Sequence, residues 1–411
     1  MVQNGTLLFI AAFIALILSA GCMQSAQAPA EGQASSAGTP AIVMTVPVAP
    51  VPVTSTNGTN LAYELELAAP ANMTFVPEKI EVIDPATGTV LYTPAAEILQ
   101  KTYMPASDPL PTVEEIAAGT LKNPVPRIFI WFQVSPDAVP DRLVHRVTLN
   151  RSASGLPQVT VTGGEVVVRK DLKPVVLASP VRGEGWFVIE TTETTTHHFL
   201  APVTVKGKTT VPQRFAQDWG YIDPVTGQAV SGNATIAKDY LGYGKELYAV
   251  ADGTIVDARD GLPDLEYAYN TPPINLSTAA GNYVILDIGN DKYACYAHMI
   301  PGSLRVKKGD TVREGDVIGL MGNSGNSDVP HLHFQVVTGA PSFFNGEGYP
   351  QVFRSFDVIG TMNITLAEER SAQPGFTAAG MFGEFGDYID FLSEPVPQKE
   401  KLMENWAIIR T

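Results

Sequence analysis

Short apolar runs, separated by Gly, Pro, Asn and Asp, recur from about position 54 onward. Residues 61–67 (LAYELEL) alternate in part, the pattern of a strand with one buried face. Residues 81–84 and 90–92 flank the turn sequence 85–89 (PATGT), which predicts a hairpin. Residues 127–134 (RIFIWFQV) form a strong strand candidate, followed by 143–149 and 159–168. The stretch 112–119 predicts a short helix. Together these predict a β-sandwich-like domain over 54–178. Further on, 185–190, 247–256, 282–287 and 293–298 read as strands. Gly309, Gly315, Gly319, Gly322 and Gly325 then punctuate short apolar pairs up to an apolar segment at 331–337. The expected fold class is mostly β, with the sandwich-like domain followed by a β-sheet or barrel-like domain over 179–357. Residues 259–280 form a long insertion between two of its strands, the kind of loop that often carries function. The remainder, 358–411, is expected as an extension packed on the second domain. It would have short helices at 367–371 and 398–406, a loop at 394–400, and no chemistry.

Before position 54 the pattern changes. Leu7 to Ala20 is almost wholly apolar but shorter than the roughly 20 residues a membrane-spanning helix needs. An export signal over 1–22 fits it better. Residues 23–53 are rich in Ala, Gln, Ser, Gly and Pro and hold no aromatic residue, which predicts a flexible linker.

Three of the six histidines fall between Tyr293 and Gln335. His331 and His333 are two apart, so on a strand both imidazoles project from one face. His298 closes the separate run Tyr296-Ala297-His298. Imidazole is the commonest metal ligand and the commonest acid or base near neutral pH. His145 alternates with apolar neighbours and reads as structural.

The run "Y-A-H-M … G-D-x-V-x-x-G-D-V-I-G-x-x-G-N-S-G … P-H-L-H-F" resembles the lysostaphin/LytM-type zinc endopeptidases, over about 203–337. The resemblance implies a LytM-type peptidase domain that cuts peptide cross-links of a cell-wall polymer, or an envelope protein. It also implies zinc as cofactor. Carried over by position, Asp218 and His333 are metal ligands; His298 and His331 are the acid–base or transition-state pair. The departure is at Arg214, which stands where the family places its first metal-binding His. A guanidinium has no lone pair to give, and catalytic zinc normally takes three protein ligands. Two resolutions follow. A neighbouring His197 or His198 completes the set, with His198 the candidate ligand. Otherwise Arg214 pairs with Asp218 and fills the cavity, leaving a domain that binds an envelope polymer or a partner hydrolase without cutting. A lipoyl- or biotinyl-type carrier shares the Gly-Asp rhythm, but Lys307 and Lys308 do not sit in a hairpin-tip motif.

Composition adds location. The formal charge of −15 argues against a nucleic-acid partner. Leu18-Ser19-Ala20-Gly21-Cys22 resembles a bacterial lipobox, implying lipidation of Cys22 and a membrane anchor on the outer face. With Cys22 so used, Cys295 has no disulfide partner. Its odd spacing from His298 predicts a buried residue on the opposite strand face.

Overall fold

The computed structural model describes residues 42–70 and 73–411. The expected export signal, Cys22 and most of the 23–53 linker lie outside the described residues. Where that linker enters the structure it is ordered, contrary to expectation. Val43–Thr45 pairs antiparallel with Thr59–Ala68, and Val53 is fully buried. Met44 seats its side chain in the first core, which is what orders this stretch.

Two sheets make up the first domain. One holds Val43–Thr45, Thr59–Ala68, Arg127–Val134 and Tyr103–Met104; the other holds Val90–Tyr92, Val76–Ile83, Arg142–Asn150 and Val159–Val167. Leu61, Tyr63, Leu65, Ile128 and Ile130 pack between them against Ile80, Val82, Leu143 and Val147. This is the expected sandwich. The predicted helix is Val113–Ala118, started by a capping box between Thr112 and Glu115 and stopped at Gly119, whose φ is +98°.

The partial alternation of 61–67 has a structural cause. Leu61, Tyr63 and Leu65 face the sandwich, whereas Ala62 and Glu64 face the second domain and are buried there as well. Ala62, Phe129 and Trp131 meet Phe199, Val211 and Phe215 in a shared apolar cluster. Trp131 packs edge-on against both Phe199 and Phe215. Aromatic side chains bury about 150–250 Å² each, so this interface holds the two units as one body.

The second domain is built on an open sheet, not a closed barrel. Its order is Val175–Leu177, Gln351–Met362, Ala407–Arg410, Glu184–Ile189, Gln217–Tyr221, Leu332–Thr338, Lys292–Met299, Asn282–Asp287, Gly253–Arg259 and Thr311–Val312. The C-terminal stretch corrects the sequence reading. Residues 394–400, and 398–401 of the expected helix, belong to the strand Ile389–Lys401, which pairs with Gln351–Met362; the rest of 398–406 forms no helix. Ala407–Arg410 lies inside the sheet, between Gln351–Met362 and Glu184–Ile189, with Ile408 and Ile409 buried. The 358–411 segment is therefore part of the domain and not an appendage. The helix expected at 367–371 is present as Ile364–Ser371, capped by Asn363.

Candidate active site

Strand register brings the predicted residues together. Asp218 on Gln217–Tyr221 stands opposite His333, and His333 stands opposite Ala297 on the other side. Directly opposed residues share a face, so Asp218, His333 and Ala297 form a row. Simple alternation would send the next residue, His298, to the far face. It does not, because His298 has φ +63°. This left-handed backbone turns its ring back into the row, with its centroid 5.9 Å from that of His333 and 4.7 Å from that of His331. The same turn corrects the reading of Cys295. That residue is buried as expected, but opposite Gln335 on the face that carries the site. Burial pushes its thiol pKa up, so it remains protonated.

Each of three imidazoles is fixed in one tautomer by an outward hydrogen bond. The Gln335 amide nitrogen donates to the carbonyls of Pro212 and Phe343, both at 3.2 Å. Its Oε1 therefore faces His333 and accepts from Nε2–H at 2.8 Å. His333 Nδ1 is left bare, 3.0 Å from Asp218 Oδ1. His331 donates Nδ1–H to Val329 O at 2.7 Å, leaving Nε2 bare at 3.5 Å from Asp218 Oδ1. His298 donates Nδ1–H to Ser324 O at 2.7 Å, leaving its Nε2 bare. Burial, then the neighbouring imidazoles, push the His298 pKa well below its ordinary value. That ring is neutral at pH 7.

His198 completes the cluster. It is buried, with Nε2 3.5 Å from Asp218 Oδ2 and its ring edge-on to His333 at 4.6 Å. Burial outweighs the Asp218 charge and depresses its pKa too. His197, by contrast, is exposed and stands 3.1 Å from Glu190. One donor atom each from His198, Asp218 and His333 lie within 4.8 Å of one another. About a tetrahedral ion with bonds of about 2.0–2.1 Å, ligand atoms stand roughly 3.4 Å apart; His333 Nδ1 is 3.0 Å from Asp218 Oδ1, and His198 Nε2 is 3.5 Å from the other oxygen, Oδ2. A bare His333 nitrogen facing a carboxylate oxygen is unfavourable unless a cation or proton lies between them. The donor set therefore fits a divalent ion.

Arg214 does not enter this site, contrary to the reading in which it pairs with Asp218 and plugs the cavity. Its guanidinium turns away to Glu64 of the first domain at 2.7 Å and to Glu347 at 2.7 Å. All three side chains are buried. Sequence reasoning missed Glu64, Glu347 and Gln335. Only Gln335 left a signal: it lies two past His333, on the same face of the same strand.

The cluster sits in the wall of a cavity of about 620 Å³. Four of the eight non-glycine residues with positive φ among the described residues line it: Glu190, Tyr269, His298 and Trp406. Strained backbone of this kind concentrates at functional sites.

Residues 238–344 match the description of Peptidase family M23. The match covers about a quarter of the chain. The M23 stretch holds His298, His331 and His333 but begins after His198 and Asp218, the part where Arg214 breaks the usual pattern. The chain is 34% identical over 122 residues to peptidoglycan DD-endopeptidase ShyA of Vibrio cholerae serotype O1, covering 29% of this chain and 24% of that protein. It is 36% identical over 94 residues to endolysin 2638A of Staphylococcus phage 2638A, covering 22% and 16%. The chain thus spans about a quarter or less of the length of these relatives. Among solved structures, the catalytic domain of the antimicrobial peptidase lysostaphin from Staphylococcus simulans is 24% identical, with a TM-score of 0.21, covering 33% of this chain and 77% of that one.

Proposed function

We propose that this chain is a zinc-dependent endopeptidase of the lysostaphin/LytM type, acting on peptide bonds in a cell-wall polymer or an envelope protein. One observation carries the reading. His198, Asp218 and His333 converge their donor atoms beside two further imidazoles: His331, whose bare Nε2 is 3.5 Å from Asp218 Oδ1, and His298, whose ring centroid is 4.7 Å from that of His331. The relatives named as peptidoglycan endopeptidases support the wall polymer as substrate. The inactive reading rested on Arg214, whose side chain is engaged elsewhere.

His198, Asp218 and His333 would hold the ion. Zinc, when bound, polarises the scissile carbonyl and lowers the pKa of a water molecule. His331 presents Nε2 to take the proton of the attacking water, because Val329 O already holds its Nδ1–H. His298 presents Nε2 in the same way, its ring oriented by Ser324 O. Once protonated, either ring can stabilise the developing oxyanion or return the proton to the leaving amine. The buried Gln335 amide keeps His333 from exchanging its two nitrogens.

The test compares wild type with His331→Ala and His298→Ala on isolated sacculi and on peptides. The expected loss is about 10²–10⁴-fold in rate with zinc content unchanged. A zinc-loaded wild type that cuts neither substrate would leave only the binding role. Lipid attachment at Cys22, holding the folded part outside the cytoplasmic membrane, belongs to the same proposal. Among the described residues no helix is long and apolar enough to cross a membrane. Incorporation of a labelled fatty acid, lost in Cys22→Ser, is the expected result; equal labelling of both proteins would contradict it.

A further inference from the structure

The cavity beside the imidazoles is walled by apolar side chains, about half of them from outside the M23 stretch. Met362, Phe382 and Trp406 come from the C-terminal part of the chain, and Leu121 from the first domain. Within the M23 stretch, the long insertion adds Ile274 and Leu276. Two of these are unusual. Leu121 is 39% exposed and Ile274 is 56% exposed, yet both face the cavity. Folding gains little from an apolar side chain left in water; a bound apolar group would gain from covering it.

The walls carrying them are fixed in place. Thr120 exchanges two backbone hydrogen bonds with Thr204, and Lys206 donates to Ile116 O at 2.7 Å, tying the Leu121 arm to the second domain. In the insertion, Tyr269 donates its N–H to Asp328 O at 2.7 Å and Asn326 donates to Pro272 O at 2.8 Å. Thr271 hydrogen-bonds the Asp328 carboxylate. Asp328 lies three residues before His331, so the insertion is anchored to the segment that presents a catalytic imidazole. Phe343, its ring 6.3 Å from that of His333, continues the apolar lining up to the cluster.

We infer that the cleft selects an extended protein segment with bulky apolar side chains beside the scissile bond, and that Leu121 and Ile274 set this preference. The inference rests on the peptidase reading above and narrows it towards protein substrates. Leu121→Asp and Ile274→Asp change exposed positions, so the fold and the zinc content are expected to stay as they are. The experiment uses the full zinc-loaded chain and two fluorescent decapeptides, one with Leu-Phe at its centre and one with Gly-Asp. Binding is read by anisotropy and cleavage by chromatography. The expected result is a preference of at least tenfold in kcat/KM for the apolar peptide, lost in either variant mainly through a higher KM. Equal cleavage of both peptides, or variants that behave as wild type, overturns the inference and leaves the peptidase reading intact. Selective binding of the apolar peptide without cleavage does the reverse. Binding of neither peptide overturns the inference.

Discussion

At the scale of single residues, the site depends on which nitrogen of each imidazole carries the proton. For His333 the answer is set by Gln335, whose amide is held in one orientation by two carbonyls. Outer partners of this kind typically change metal affinity 10–100-fold when removed. Gln335→Leu is therefore expected to weaken zinc binding by about that factor, measured by competition with a chromophoric chelator. Unchanged affinity would show that the tautomer is set by something else. A histidine outside the site gives a pH signature. His145 is buried between Tyr63 OH and Gly164 O, and burial lowers its pKa from 6.5 to about 4. Between those values the unfolded chain binds a proton that the folded chain does not, so stability rises with pH. The contribution is fully present above about pH 6.5 and lost as pH falls towards 4. A shift of this size is worth on the order of 3 kcal/mol. Denaturant unfolding at pH 4.5 and 7 is expected to show that loss in wild type and not in His145→Gln.

At the scale of elements, the strand pattern was legible where one face is buried and misleading where the backbone departs from regularity. HLHFQ announced a strand with two histidines on one face; the strand is Leu332–Thr338, which holds His333, while His331 lies just before it and still brings Nε2 to 3.5 Å from Asp218. The positive φ of His298 carries no sequence mark, so the face of Cys295 was read wrongly. The tail was misread for another reason. Residues 394–400 contain Pro and several charges, yet lie in an exposed strand whose partner, Gln351–Met362, supplies the register. Arg214 stands where the resemblance implied a metal-binding His, yet its side chain pairs with Glu64 and Glu347. Removing one member of a buried ion pair typically costs about 3–5 kcal/mol. Arg214→Ala is expected to lose stability of that order, measured by denaturant unfolding, because Glu64 and Glu347 stay buried without their cation. Arg214→His is expected to destabilise without tightening zinc binding; a gain in zinc affinity would mean that the backbone there can still aim a ligand at Asp218.

At the scale of the whole molecule, the two units were visible in the sequence but their union was not. Contacts between Trp131 and Phe199, or between Glu64 and Arg214, join positions far apart in the chain. No local pattern encodes them. The consequence for function is that the first domain is no loose spacer. It supplies Glu64 to hold Arg214 and Leu121 to wall the cavity. His198 follows the same logic: it lies outside the recognised family stretch and reaches the site only because the chain before Gln217–Tyr221 folds back over it. Arg214, standing where the resemblance expects a metal-binding His, is thus compatible with the proposed ligand set of His198, Asp218 and His333.

The most direct measurement is zinc stoichiometry of the purified chain by elemental analysis, for wild type, His198→Ala and Arg214→Ala. The account predicts one zinc per chain in wild type, loss of that zinc in His198→Ala, and retention in whatever fraction of Arg214→Ala remains folded. Zinc bound equally well without His198, or absent from the intact wild type after reconstitution, would contradict it.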